Sequence, residues 1–144
     1  NILLAGSAGA GAASSLPVRG ALRALDTPHV MLVDFGIAAQ FRPGYYRGHS
    51  RAGSLVTMAP EVARGTVTPQ ADIFSLGCVL YEMCTLEPPF LYDTQEAMLK
   101  YWKSRPGADL TRFVECCPDA PEAEALCSRL LRRERRERPS AAAC

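Results

Sequence analysis

Ala71-Asp72-Ile73-Phe74-Ser75-Leu76-Gly77-Cys78-Val79-Leu80-Tyr81-Glu82-Met83-Cys84 is the stretch on which the fold turns. Over residues 73–84 apolar side chains fall on nearly every side of a 3.6-residue period, which marks a helix buried on most faces. Asp72 is placed to cap its start, and Pro88-Pro89 to end it. A helix enclosed in this way needs others around it, and the downstream sequence supplies them. Residues 94–102 predict an amphipathic helix with Thr94 as N-cap, Gln95 and Glu96 in its first turn, and Met98, Leu99 and Trp102 along one side. Pro106-Gly107 breaks it. Two more helices are predicted over 108–117, with Leu110, Phe113 and Val114 apolar, and over 121–133, with Ala125, Leu126, Leu130 and Leu131.

Upstream the pattern changes. Pro60 suits the first position of a short helix over 61–64. Residues 36–54 are polar, punctuated by glycine and without periodicity, so they read as a loop. Ile2-Leu3-Leu4 and His29-Val30-Met31-Leu32-Val33 are short apolar runs suited to the strands of a small hairpin. Between them, residues 5–15 are wholly Ala, Gly and Ser, a composition that cannot bury enough surface to offset its ordering entropy. Residues 5–28 are therefore predicted to be a mobile, low-complexity insertion. The whole is a mainly α body with one small β-hairpin.

Composition narrows the class further. A chain of 144 residues, 48% hydrophobic and 22% charged, is ordinary globular material for one domain or a piece of one. A net charge of +1 gives no whole-chain reason for nucleic-acid or membrane binding. The six cysteines form no C-x-x-C pair and stand far in sequence from His29 and His49, so they read as free thiols and not as a zinc site. No secretory signal or run of about 20 apolar residues is found, which predicts an intracellular protein, cytoplasmic with the nucleus as a further possibility. Asn1 in place of an initiator Met suggests a start inside a domain.

Three short runs carry the chemistry, in fixed order: Val33-Asp34-Phe35-Gly36, then Met58-Ala59-Pro60-Glu61, then Asp72 with Ser75-Leu76-Gly77. Asp34 stands directly after an apolar strand. Locally, Asp34-Phe35-Gly36 is also readable as a plain turn with Gly36 in a special backbone conformation. The ordered set, with Arg138 in Arg136-Glu137-Arg138-Pro139-Ser140 far downstream, resembles the eukaryotic protein kinase catalytic domain. The match runs from the end of the catalytic loop to the last helix, across residues 1–144 apart from 5–28. The runs Asp34-Phe35-Gly36-Ile37-Ala38 and 77–86 look like those of the NIMA-related group of serine/threonine kinases.

The resemblance implies a kinase-like C-terminal lobe with the N-terminal lobe absent, and it assigns roles. Asp34 and Asn1 would bind the magnesium ions that bridge ATP phosphates, with Gly36 beside them in the cofactor site. Ser54, in Gly53-Ser54-Leu55-Val56-Thr57-Met58, takes the place of a threonine that supports the acceptor site, and Thr57 departs from the usual Tyr or Trp. Glu61 would pair with Arg138, and Asp72 would hold backbone amides of the catalytic loop. Tyr45, Tyr46, Ser50 and Ser54 are candidate phosphosites, with Arg42, Arg47 and Arg51 nearby.

The family's glycine-rich loop, strand lysine and His-Arg-Asp sequence do not occur within these 144 residues. The catalytic Asp is thus expected upstream, with the N-terminal lobe as the partner that completes the site and a protein as substrate. Two functions follow. The first is part of a serine/threonine kinase that moves the ATP γ-phosphate to protein hydroxyls, inactive as this piece alone; the second is a pseudokinase or truncated lobe acting as an interaction scaffold. Without its smaller lobe, apolar surface around 2–4 and 30–32 predicts poor solubility. The run 132–138 could serve as a basic patch, but Glu134 and Glu137 interrupt it, so a solvated helix end is preferred.

Overall fold

The computed structural model describes residues 2–5, 29–41 and 53–144. They belong to two units, one within residues 1–38 and the other within 39–144, and each is described by itself.

The first unit is an antiparallel pair, β1 (Ile2–Ala5) with β2 (His29–Leu32), in which Ile2 faces Leu32 and Leu4 faces Val30. Ala5 pairs with His29, so β1 takes the first residue of the expected insertion, while Val33 lies beyond β2. The rest of that insertion is outside the described residues. After β2 a turn closes with the Ala38 N–H donating to Phe35 O at 3.0 Å. Val30, Met31, Leu32, Phe35 and Ile37 are all exposed. A lone two-stranded pair has little stability of its own.

The second unit is helical, with a long helix at its centre. Helix α1 (Pro60–Ala63) opens with Pro60 in its first turn, where the missing N–H would have had no partner. Helix α2 (Gln70–Thr85) differs from expectation at both ends. Pro69, already in a helical conformation, is its N-cap residue, so the helix starts before Asp72; that residue sits exposed in the first turn and caps nothing. At the other end Pro88-Pro89 is not the stop. Leu86 turns left-handed at φ 60°, and its N–H donates to Glu82 O at 2.8 Å, while the Thr85 hydroxyl accepts from the Glu87 N–H at 3.2 Å.

Around α2 lie α3 (Gln95–Lys103), α4 (Thr111–Cys116) and α5 (Pro121–Leu130), followed by 3-10 turns at Arg135–Glu137 and Ala141–Ala143. Thr94 caps α3, its hydroxyl accepting from the Ala97 N–H at 3.1 Å, and Met98 and Trp102 are fully buried. Helix α4 begins later than residue 108 because Asp109 Oδ1 captures the Thr111 N–H at 3.0 Å and its hydroxyl at 2.7 Å. Those bonds hold the Asp109 carboxyl below its usual range. So short a helix buries one face: Phe113 is enclosed, but Val114, expected in the core, is 44% exposed. Helix α5 ends before residue 133 because the chain at Arg132 leaves to bridge with Gly107. Cys127 and Leu130 carry its core contacts, while Ala125, expected to be apolar core, is exposed.

Gly77 sets the approach of α5 to α2. A Cβ there would stand 2.8 Å from Leu130 Cβ and 2.9 Å from Leu131 Cδ2, so only glycine fits without displacement. Phe74 and Trp102 meet edge to face at 5.6 Å, and Phe90 stacks on Phe74 at 5.8 Å. Fully burying one such ring contributes about 1.5–3 kcal/mol. The burial of α2 is nevertheless one-sided: Leu76 is 40% and Met83 69% exposed, and among the described residues nothing covers them.

Candidate functional site

Glu61 and Arg138 meet. Helix α1 presents Glu61, and the chain leaving the Arg135–Glu137 turn presents Arg138 in an extended conformation. Arg138 Nη1 donates to Glu61 Oε1 at 2.7 Å and Nη2 to Oε2 at 2.8 Å, a bidentate pair. Nε donates to Arg132 O at 2.8 Å, Nη1 also to Gln70 O at 2.9 Å, and Nη2 to Arg133 O at 3.0 Å. All five guanidinium N–H groups are thereby used. The Arg138 side chain is fully buried and that of Glu61 only 12% exposed, so the ion pair works where water screens it little. Phe74 forms the floor, its ring centroid 4.9 Å from the guanidinium carbon.

This knot joins the residues after the expected acceptor loop to the start of α2 and to the chain after α5. Ser75 adds a second tie: its hydroxyl oxygen lies 2.9 Å from Thr57 O and 3.2 Å from Ala71 O, which pins the 54–57 turn to α2. Sequence reading named Ser75 and Phe74 only as members of a motif and missed these contacts. Their signal was the spacing itself, since Phe74 and Ser75 lie a turn into α2 and so point at different neighbours.

Other site residues are placed less completely. Asp34 is exposed and takes φ 64°, a left-handed conformation that aspartate tolerates better than most residues. The special backbone angle therefore belongs to Asp34, not to Gly36, which corrects the plain-turn reading. A Cβ at 36 would stand 3.5 Å from Asp34 Oδ1, an ordinary contact that the carboxylate tolerates. Ser54 is exposed, its carbonyl accepting from the Thr57 N–H at 3.2 Å. Asp72 is exposed and makes no side-chain hydrogen bond among the described residues. Asn1, Tyr45, Tyr46 and Ser50 lie outside the described residues.

Among the described residues no three of His, Cys, Asp or Glu form a metal cage, and no helix is long and apolar enough to cross a membrane. The six cysteines are free thiols. Cys78 and Cys127 are buried between α2 and α5; burial pushes the Cys78 thiol up and that of Cys127 to about 12, so both stay protonated and act as small apolar groups.

Comparison with known proteins gives a consistent picture. The sequence pattern of the protein kinase domain matches residues 22–144. Over 107 residues the chain is 39% identical to the serine/threonine-protein kinase AtPK2/AtPK19 of Arabidopsis thaliana, covering 74% of this chain and 21% of that protein. Over 139 residues it is 33% identical to the serine/threonine-protein kinase atg1 of Aspergillus clavatus, covering 91% and 15%. The crystal structure of Rad53 1-466 in complex with AMP-PNP is similar with a TM-score of 0.53 at 28% identity, covering 63% of this chain and 24% of that one. The chain thus spans about a fifth or less of the length of these curated relatives. Their names are not those of NIMA-related kinases, so they identify the family and not that group. With its mostly helical body, its Asp-Phe-Gly turn after a short strand and its match across most of its length, the chain belongs to the protein kinase domain family.

Proposed function

We propose that these residues are the C-terminal-lobe part of a serine/threonine protein kinase which, in the whole protein, transfers the γ-phosphate of ATP to hydroxyls of a protein substrate. The observation that carries the reading is the bidentate pair between Glu61 and Arg138, which draws the end of the acceptor segment onto the helical body. The serine/threonine kinase names of the relatives support the acceptor class.

The donor set suits magnesium. That ion takes hard oxygens and is commonly held by one or two protein groups, with phosphates and water completing its shell. Asp34 offers a carboxylate on an exposed turn. Asn1 is the second proposed ligand. Magnesium bound there would neutralise phosphate charge; the chain's own part is to hold the carboxylate in place and, through Glu61, Arg138 and Ser75, to hold the acceptor segment. Ser54 supports that segment, Asp72 is left exposed for the catalytic loop, and Tyr45, Tyr46, Ser50 and Ser54 are sites where phosphate would recruit nearby arginines.

The test compares the complete protein with its Asp34→Ala variant in a magnesium-dependent assay of phosphate transfer to a Ser/Thr protein substrate. A loss of at least about a hundredfold is expected, the scale for removing a preorganised charge-stabilising group. Residues 1–144 alone are expected to transfer nothing. A folded complete protein that binds no ATP and transfers no phosphate would replace the enzyme with the scaffold reading.

A further inference from the structure

Two basic segments far apart in sequence lie side by side in the helical unit. One, Lys103 to Gly107, leaves α3; the other, Arg132 to Glu137, follows α5. The Arg133 N–H donates to Pro106 O at 2.8 Å, Gly107 bridges with Arg132, and Arg133 Nη1 donates to Trp102 O at 3.0 Å and Lys103 O at 3.1 Å. Arg133 thus satisfies carbonyls at the C-terminus of α3, a favourable place for a cation.

The clamp concentrates charge. Lys103, Arg105, Arg132, Arg133, Arg135 and Arg136 stand against Glu134, Glu137 and Asp109, whose carboxyl feels Arg105, in a chain whose net charge is +1. Glu134 is taken by Arg133, whose Nε lies 3.0 Å from its Oε1. Among the described residues the other five cations form no ion pair with a carboxylate. Arg105 is partly ordered, its guanidinium carbon 4.5 Å from the Tyr101 ring centroid. Along the chain, Glu134 and Glu137 interrupt the basic run; in space, the residues after α3 add Lys103 and Arg105 to it. Unpaired like charges repel, and an anionic partner removes that repulsion.

We propose that the surface formed by residues 103–107 and 132–137 docks an acidic, carboxylate-rich segment of a partner protein. Arginine forks suit carboxylates, and a peptide can space its charges so as to avoid Glu134 and Glu137. Nucleic acid fits less well. Its phosphates are dense and regular, and single strands need exposed rings on which to stack. Here Trp102 and Phe90 are buried and Tyr101 is faced by Arg105.

The experiment is fluorescence anisotropy on the purified protein with a labelled Glu-rich peptide, a Lys-rich peptide of equal length and a single-stranded oligodeoxynucleotide as competitor. The Glu-rich peptide is expected to bind in a salt-sensitive way, and Arg132→Glu with Arg136→Glu to weaken it about tenfold or more. Lys103→Glu with Arg105→Glu, on the other segment, gives the same loss and decides the matter if the first pair unfolds the protein. Arg64→Glu with Arg112→Glu, equal in charge but elsewhere, is expected to change binding less than about twofold. No binding, an equal loss in that control, or displacement by the oligonucleotide at lower concentration than by unlabelled Glu-rich peptide each overturns the proposal. The readout is independent of phosphate transfer, so it stands or falls apart from the kinase reading.

Discussion

The Arg138 pocket and the β-hairpin stand at opposite ends of a scale. In the pocket every guanidinium donor is met and the side chain is fully buried. In the hairpin Val30 and Leu32 are 64% and 66% exposed on a pair of four-residue strands. Two different sources of order follow. The Arg138 pocket contains the partners its guanidinium needs, whereas the hairpin carries apolar surface whose burial another part of a protein must supply.

That contrast can be broken most directly at Arg138. Arg138→Ala leaves Glu61 with a partly buried, unpaired carboxylate and frees three backbone carbonyls, so denaturant unfolding is expected to show a loss of about 3–5 kcal/mol. A loss below about 1 kcal/mol would mean that the pocket does not hold the unit together. Next comes Gly77→Ala, where a methyl would press on Leu130 and Leu131; a destabilisation of about 1–3 kcal/mol is expected despite alanine's better helix propensity. Thr94→Ala removes the cap of α3 and should lower stability by about 1 kcal/mol in the same measurement. Smallest in unfolding, and sharpest for the comparison, is Val30→Thr with Leu32→Thr. The pair should change the unfolding free energy by no more than about 0.5 kcal/mol while lowering light scattering of the concentrated protein. A large loss of stability there would show that the hairpin face is already part of a core.

Much of the helical unit was legible because its signals are local. Thr94 followed by Gln95 and Glu96 announces a helix start, and Pro60 an opening turn; both stand in the structure where the residues place them. The pairing of Glu61 with Arg138, separated by 77 positions, could not come from periodicity and was reached only through the family resemblance. Elsewhere local cues misled. Asp72 has the chemistry of a cap, but Pro69 had already set the helix conformation. Asp109 delayed α4 by binding Thr111, and a six-residue helix then left Val114 outside. Leu86 carries no stop signal, since leucine rarely turns left-handed, and the Thr85 hydroxyl that accompanies the turn is inconspicuous in sequence. At the candidate site the residue types around Asp34 were readable, but its left-handed backbone was not.

The distance along the chain between Glu61 and Arg138 has a consequence for biosynthesis. The carboxylate and the Gln70 carbonyl leave the ribosome long before the guanidinium, whereas the Arg132 and Arg133 carbonyls that share it precede it by only six and five residues. Until position 138 is translated, the helices can form but the ring they make has no clasp, and closing a loop of that length carries an entropy penalty that local contacts do not offset. A nonsense codon shortly before Arg138 would therefore release a product that retains most of its helical content yet is readily degraded.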